Sequence, residues 1–284
     1  MSIRVLETTG STLVQDLGRP GLSAWGVGPS GVFDRTAFRH ANLLLGNEVG
    51  SAVLEHFGGP LSLMATRDHA MAVTGALGPV WVDERPVSTG EVVRLPAGSL
   101  LRIGVPTVGL RYVIGVAGGF DPAPVLGSRS RDTLAELGPE PVVAGAKLSV
   151  GLTTAIAWTG SVPRALPSCD FRLRVVLGPR DDWFTPASVA RLLTTPWQVD
   201  SLAGRVGIRL NGPKLERSRS EELLSEGVTR GSIQVTNNGM PIILGPDHPV
   251  TGGYPVIGVV LDSDTDVLAH VRPGDTISLS RFSA

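Results

Sequence analysis

Three polar, glycine-marked turns fall within residues 225–255, and each carries side chains able to bind or polarise a small molecule. They are Ser225-Glu226-Gly227, Gly231-Ser232-Ile233-Gln234-Val235 and Thr251-Gly252-Gly253-Tyr254-Pro255. Glycine lets a backbone approach a ligand closely or adopt positive φ, so turns of this kind often rim binding sites. They also end strands in any β-protein, which is the plainer use of one such turn taken alone. Glu226 and Asp247 are candidates for general acid–base work if they share a cleft. Arg209, in Gly207-Ile208-Arg209, precedes them and brings a guanidinium to the same third of the chain.

A comparable set lies near the N-terminus, where Asp16 and Arg19 flank a glycine turn in Gln15-Asp16-Leu17-Gly18-Arg19-Pro20-Gly21. The two either brace a loop by pairing locally or present a carboxylate and an anion-binding guanidinium beside a glycine nest. Ser128, Arg129, Ser130 and Arg131 follow Gly127. Two arginines with two hydroxyls suit a carboxylate or phosphoryl group, and they equally suit a solvated basic loop. The five histidines (His40, His56, His69, His248 and His270) show no metal-ligand spacing, so no metal site is expected on the chain itself. His40 falls inside a helical pattern and is expected on the helix surface or at an interface. No Gly-x-Ser-x-Gly elbow and no Walker-type phosphate loop occurs.

The elements that must position these residues are short. Glycine (36 residues) and proline (22) are abundant in a chain of 284, and aromatic residues make up only 5%. That density of breakers implies a mostly β fold, a barrel or sandwich with few helices. Strands fit residues 3–7, 70–74, 80–82, 92–95, 99–103, 111–117 and 147–150, then 171–177, 207–210, 232–235, 240–244, 256–262 and 276–279. Two helices stand out. Asp34 caps one that runs through Ala37, Phe38, Ala41, Leu44 and Leu45 to Gly46. Thr185-Pro186 opens the other, through Val189, Leu192 and Leu193. A proline-punctuated stretch at 160–168 reads as a linker, giving domains at 1–165 and 166–284.

Composition excludes several classes of function. Lys+Arg number 25 against 26 Asp+Glu, a net charge of −1, which leaves no electrostatic footprint for nucleic acid or an anionic membrane. A 42% hydrophobic content and a mean hydropathy of +0.18 support a substantial core without disorder. Cys169 is the single cysteine. It permits no intrachain disulfide and no cysteine-rich zinc site, and it falls in the linker, away from any nucleophile role. A soluble, cytoplasmic protein is expected, because no signal-peptide pattern opens the sequence and its apolar runs are too short to span a bilayer.

The ordered series of motifs resembles the biotin-dependent carboxyltransferase-type subunit family, which includes the C subunit of 5-oxoprolinase, "allophanate hydrolase subunit 2" and the antagonist of a sporulation-kinase inhibitor. The motifs are Gln15-Asp16-Leu17-Gly18-Arg19-Pro20-Gly21, Pro29-Ser30-Gly31 with Asp34, Ala41-Asn42 through Gly46-Asn47, and Leu54-Glu55. Arg111-Tyr112, Ala117-Gly118-Gly119 and Leu126-Gly127-Ser128-Arg129-Ser130 continue the series. Leu177-Gly178-Pro179, Asp182-Trp183-Phe184, the three turns of residues 225–255 and Pro273-Gly274-Asp275 complete it. The match spans nearly the whole chain. Pro249, Val250 and Val256 stand where the family has Gln, Thr and Lys, and His270 where it commonly has Gln. These departures leave the substrate open.

The resemblance implies two cyclophilin-like β-barrel domains and an ATP-dependent 5-oxoprolinase. In such an enzyme this chain works with a smaller related subunit, and a third subunit, a hydrolase, completes ring opening of the lactam to glutamate. ATP with a divalent metal follows from the family's chemistry. Under that reading Arg19, Arg129 and Arg209 bind anions, and Asp16, Glu226 and Asp247 do acid–base or metal-linked work. Gln234, Thr251 and Tyr254 orient the amide, and Gly252 and Gly253 let it approach. Two alternatives remain: carboxyl transfer from biotin on a carrier partner to urea or a similar amide, and a non-catalytic regulator that binds a kinase-inhibitor protein.

Overall fold

A computed structural model describes residues 2–152 and 171–283 of the chain. The linker at 160–168, the 165/166 boundary and Cys169 lie outside the described residues. The chain is mostly β and forms two closed or nearly closed barrels. It divides into two compact units. The first comprises Met1–Arg19, Ser30–Asp132 and Glu136–Pro167; the second comprises Pro20–Pro29, Thr133–Ala135 and Ser168–Ala284.

In the first unit the strands run in the order Arg85–Val87, Val80–Val82, Leu100–Ile103, Val53–Ala65, Val108–Val116, His69–Leu77, Val92–Leu95. The long strand Ser2–Gln15 pairs antiparallel with Val53–Ala65 and with Lys147–Ser149. Ile3, Val5, Leu54, Leu61, Leu63, Met71, Leu101 and Ile114 fill one core. The first helix, Arg35–Leu45, is built as its sequence predicts. Asp34 accepts a hydrogen bond from the Ala37 amide at 2.8 Å, and Gly46 ends the helix at φ 65°. Its Ala37, Phe38 and Ala41 pack on Val53 and Val113. Of the two positions expected of His40, helix surface or interface, the surface one is corrected, because His40 is buried on that helix.

The strand Val53–Ala65 escapes a reading by alternation because Glu55, His56, Gly58, Gly59 and Pro60 interrupt it. The structure shows what those polar residues do. Glu55 is buried, accepts from the Phe33 amide at 2.7 Å and lies 3.6 Å from Arg111 Nε. The Arg111 guanidinium is placed 4.8 Å from the Phe33 ring centre and 4.7 Å from that of Phe57, so two aromatic faces cover the cation. His56 lies between Thr12 Oγ1 at 2.7 Å and the Gly59 carbonyl at 2.8 Å, and burial pushes its pKa down.

The second unit is a closed barrel in the order Arg172–Leu177, Val256–Val260, Ser232–Val235, Pro241–Leu244, Gly207–Asn211, Trp197–Val199, Thr276–Arg281, and the last strand returns to the first in parallel. Period-2 alternation builds it: Leu173 and Val175 face in, as do Ile208 and Leu210, while Arg172, Arg174 and Arg209 face out. The helix Pro186–Thr194 starts at Thr185, whose hydroxyl accepts from the Ser188 amide. Trp197 is fully buried and donates from Nε1 to the Leu192 carbonyl at 2.9 Å, tying helix end to barrel. Among the described residues no helix is long and apolar enough to cross a membrane.

Removing one partner of a buried ion pair strands the other charge, at a cost of about 3–5 kcal/mol. Glu55→Ala should therefore lower unfolding free energy by about that amount, whereas loss of the helix cap in Asp34→Ala should cost about 1 kcal/mol. Urea denaturation of both variants checks the ranking.

Candidate functional site

Asp16, Arg19 and Arg129 lie in the first unit. Asp16 and Arg19 do not pair with each other. The buried Asp16 carboxylate accepts from the Gly18 amide at 2.8 Å, and from the Ser128 hydroxyl, the Ser130 hydroxyl and the Arg129 amide at 2.6 Å each. Three of these donors converge on Oδ1, and the Arg129 amide alone reaches Oδ2. Asp16 thus pins the end of the strand Ser2–Gln15 to the 128–130 loop, and its carboxylate is buried in that junction. Arg19 is buried as well, and its Nη2 donates to the Ser130 carbonyl. Its Nη1 and the neighbouring Gln15 Oε1 are buried with no hydrogen-bond partner among the described residues. Arg129 is held at a half-exposed position by Asp121, at 2.5 Å and 3.1 Å.

The other eight candidates lie in the second unit, and six of them meet. A two-stranded ribbon pairs Glu226 with Gly252 and Gly227 with Thr251. Gln234 lies beneath it, buried, and donates to the Tyr254 carbonyl at 3.1 Å. A Cβ at Gly252 would collide with the Gln234 amide. A side chain at 252 is disfavoured by that packing, because it would have to displace the Gln234 amide, and not by positive φ, since neither Gly252 nor Gly253 has one. Gly253 continues the edge, where an added Cβ would find nothing closer than the Leu223 carbonyl at 4.0 Å. Thr251, Gly253 and Tyr254 are exposed.

The arginine that accompanies Glu226 is Arg180. Its Nε lies 2.9 Å and 3.0 Å from the two carboxylate oxygens, and its Nη2 donates to Oε1. The Arg180 amide donates to the Val256 carbonyl at 2.9 Å, which fixes this loop beside Tyr254-Pro255. The pair remains reachable from solvent, with side-chain exposures of 37% for Arg180 and 28% for Glu226. The Arg180 contact holds the Glu226 carboxyl below its ordinary pKa, with burial opposing, and Glu226 in turn raises that of the Arg180 guanidinium. A forked cation and a carboxylate beside an open glycine edge can exchange partners with a ligand that bears a carboxylate and an N–H.

Arg209 and Asp247 do not take the places that their residue types suggest, an anion binder and an acid–base group. Arg209 is exposed on the outer barrel face, and its carbonyl accepts from the Asp200 amide. Asp247 has 0% exposure and forms a fork with Arg205, at 2.8 Å to each oxygen. It also accepts from the Thr133 amide at 2.9 Å and hydroxyl at 2.7 Å. Sequence reasoning misses both Arg180 and Arg205. The turns Gly178-Pro179 and Ala203-Gly204 immediately before them are the available signal.

Comparison with known proteins supplies the class. The model of the carboxyltransferase domain, subdomain A and B, matches residues 25–281, and the chain belongs to that family. It is 34% identical to the C subunit of 5-oxoprolinase from Escherichia coli (strain K12), over 99% of this chain and 91% of that one. It is 30% identical to urea amidolyase of Saccharomyces cerevisiae, over 96% of this chain but only 16% of the relative. The crystal structure of Kluyveromyces lactis urea carboxylase superimposes with a TM-score of 0.91 at 27% identity, covering 99% of this chain and 27% of that one.

Two outcomes follow for the ribbon. Gly252→Ala should push the Gln234 amide off Tyr254 and lower the melting temperature, whereas Gly253→Ala should melt like wild type. A carboxyl with a depressed folded-state pKa contributes stability that is complete above its ordinary value of 4.5 and is lost as pH falls through the folded-state value. Glu226→Gln should therefore flatten the acid limb of a melting-temperature profile taken from pH 7 to pH 3.

Proposed function

We propose that the chain is the C-type subunit of a 5-oxoprolinase and contributes the pocket that grips the lactam substrate. The observation that carries this reading is coverage: the match to the 5-oxoprolinase C subunit runs through 99% of this chain and 91% of that protein. The urea amidolyase matches confine the resemblance to a small part of a much longer chain.

The site chemistry agrees with it. 5-Oxoproline carries a carboxylate and a lactam amide. The Arg180 fork suits the carboxylate, and Glu226, released from Arg180, can accept the lactam N–H. Gly253 leaves room for the ring at the ribbon edge, with Thr251 and Tyr254 flanking it. Opening the ring breaks the C–N bond after water adds to the carbonyl carbon; the nitrogen takes a proton, and the oxygen carries negative charge on the way. ATP would activate that oxygen by phosphorylation. Among the described residues no three His, Cys, Asp or Glu side chains gather to hold a metal ion, so a divalent metal is expected to come with the nucleotide. A smaller related subunit and a third, hydrolase subunit would complete the assembly.

Carboxyl transfer from a biotin carrier to a urea-like amide is the second reading, favoured by the family model and by the fit to urea carboxylase. One set of experiments separates the two. Co-expressed with the smaller subunit, the chain should elute as a stable complex whose ATP hydrolysis is stimulated by 5-oxoproline. Arg180→Ala or Glu226→Gln should lower that turnover roughly a hundredfold, the loss typical of one charge-assisted contact in a site, while unfolding stays cooperative. Arg209→Ala should be near wild type. Stimulation by urea that depends on a biotin carrier would replace the first reading with the second. A complex that turns over neither substrate would sink both and leave a regulator.

A further inference from the structure

The first unit carries a polar concavity, which the proposed function does not use. It is an open cavity of about 580 Å³ lined by Ser2, Arg4, Thr66, Arg67, Lys147 and Ser149. All six are cationic or hydroxyl-bearing, and no carboxylate lines it. The volume falls in the range of small-molecule sites, about 300–1,000 Å³.

The strand register makes the arrangement unusual. In the antiparallel pair of Ser2–Gln15 with Lys147–Ser149, Arg4 stands directly opposite Lys147, and Ser2 opposite Ser149. Side chains two apart share a face, so two cations and two hydroxyls occupy one patch, turned away from buried Ile3 and Val5. Thr66 binds the Ser2 carbonyl at 2.6 Å and brings Arg67 to the rim. Like charges directly opposite on a ladder destabilise it. Arg4, Arg67 and Lys147 have no ion pair or side-chain hydrogen bond among the described residues. The nearby Asp68 carboxylate is turned to the Ala97 amide. The whole chain has a net charge of −1, so this concentration of positive charge is local.

We infer that this cavity is a binding site for a small polyanion of the phosphate class, a di- or triphosphate group, which lies between Arg4 and Lys147 with Arg67 at its rim and the Ser149 hydroxyl donating. The ligand supplies the negative charge that the ladder lacks. The site is independent of the 5-oxoprolinase reading.

The test uses the full-length chain and calorimetric titration with inorganic tripolyphosphate, orthophosphate and ATP. Wild type should bind one tripolyphosphate, orthophosphate at least tenfold more weakly, and ATP no more tightly than tripolyphosphate. Lys147→Glu should weaken tripolyphosphate at least tenfold. The same change turns a like-charge pair into an opposite one, so the free variant should melt about 1–3 °C higher than wild type. Loss of binding in a more stable protein cannot come from misfolding. Arg39→Gln, on the exposed face of the first helix, should bind as wild type. Unchanged tripolyphosphate affinity in Lys147→Glu, or an equal loss in Arg39→Gln, would overturn the inference; ATP binding that survives Lys147→Glu while tripolyphosphate binding is lost would report a separate nucleotide site and leave the inference standing.

Discussion

A carboxylate taken out of water needs a donor for nearly every lone pair, and Asp247 shows what that demand does to this chain. Its two oxygens receive the Arg205 fork and both the amide and hydroxyl of Thr133. One side chain thereby binds a turn before the strand Gly207–Asn211 and a tripeptide more than a hundred residues upstream. Asp16 works the same way on the 128–130 loop, and Glu55 on Arg111 and the Phe33 amide. Each is a junction where irregular segments are fixed by charge-assisted hydrogen bonds. The barrels alternate apolar residues, but the loops that leave them are ordered by these few buried anions.

Glu226 differs in one respect, its openness to solvent. It has a single strong partner, Arg180, and both side chains remain partly exposed. Water or a ligand can replace either partner without leaving an uncompensated charge in a dry interior. Asp16 and Asp247 cannot be relieved in that way. A carboxylate's surroundings, not its neighbours in sequence, decide whether it is committed to the fold or left open to exchange.

Much of the architecture is legible in the sequence because its cause is local. The capped helix from Asp34 to Gly46, the Thr185-Pro186 helix start and the alternating strands of the second barrel follow from residue type and spacing alone. The strand Val53–Ala65 is not, because its polar residues are satisfied by Arg111, Phe33 and Thr12, partners that no local pattern reveals. The site is half legible. Glu226, Gln234 and the Thr251–Gly252 turn do converge, since short turns keep them close along the chain. Arg180 is hidden by its 46-residue separation from its carboxylate, and Asp247 looks reactive because sequence carries no record of burial. The glycine pair stands out in the sequence, but its cause does not. Gly252 is favoured by the Gln234 side chain packed on it, a contact made only after the strands assemble.

The second unit includes Thr133–Ala135 and Pro20–Pro29 as well as the C-terminal part of the chain. It is therefore discontinuous in the gene. A fragment that begins anywhere after residue 135 would carry Asp247 and Arg205 without Thr133, and a fully buried carboxylate would lose both the amide and the hydroxyl donated from there. The barrel is consequently a poor unit for exon shuffling or for fusion to a new partner by a single recombination. Evolution can lengthen this chain at its ends far more readily than it can deal out its halves.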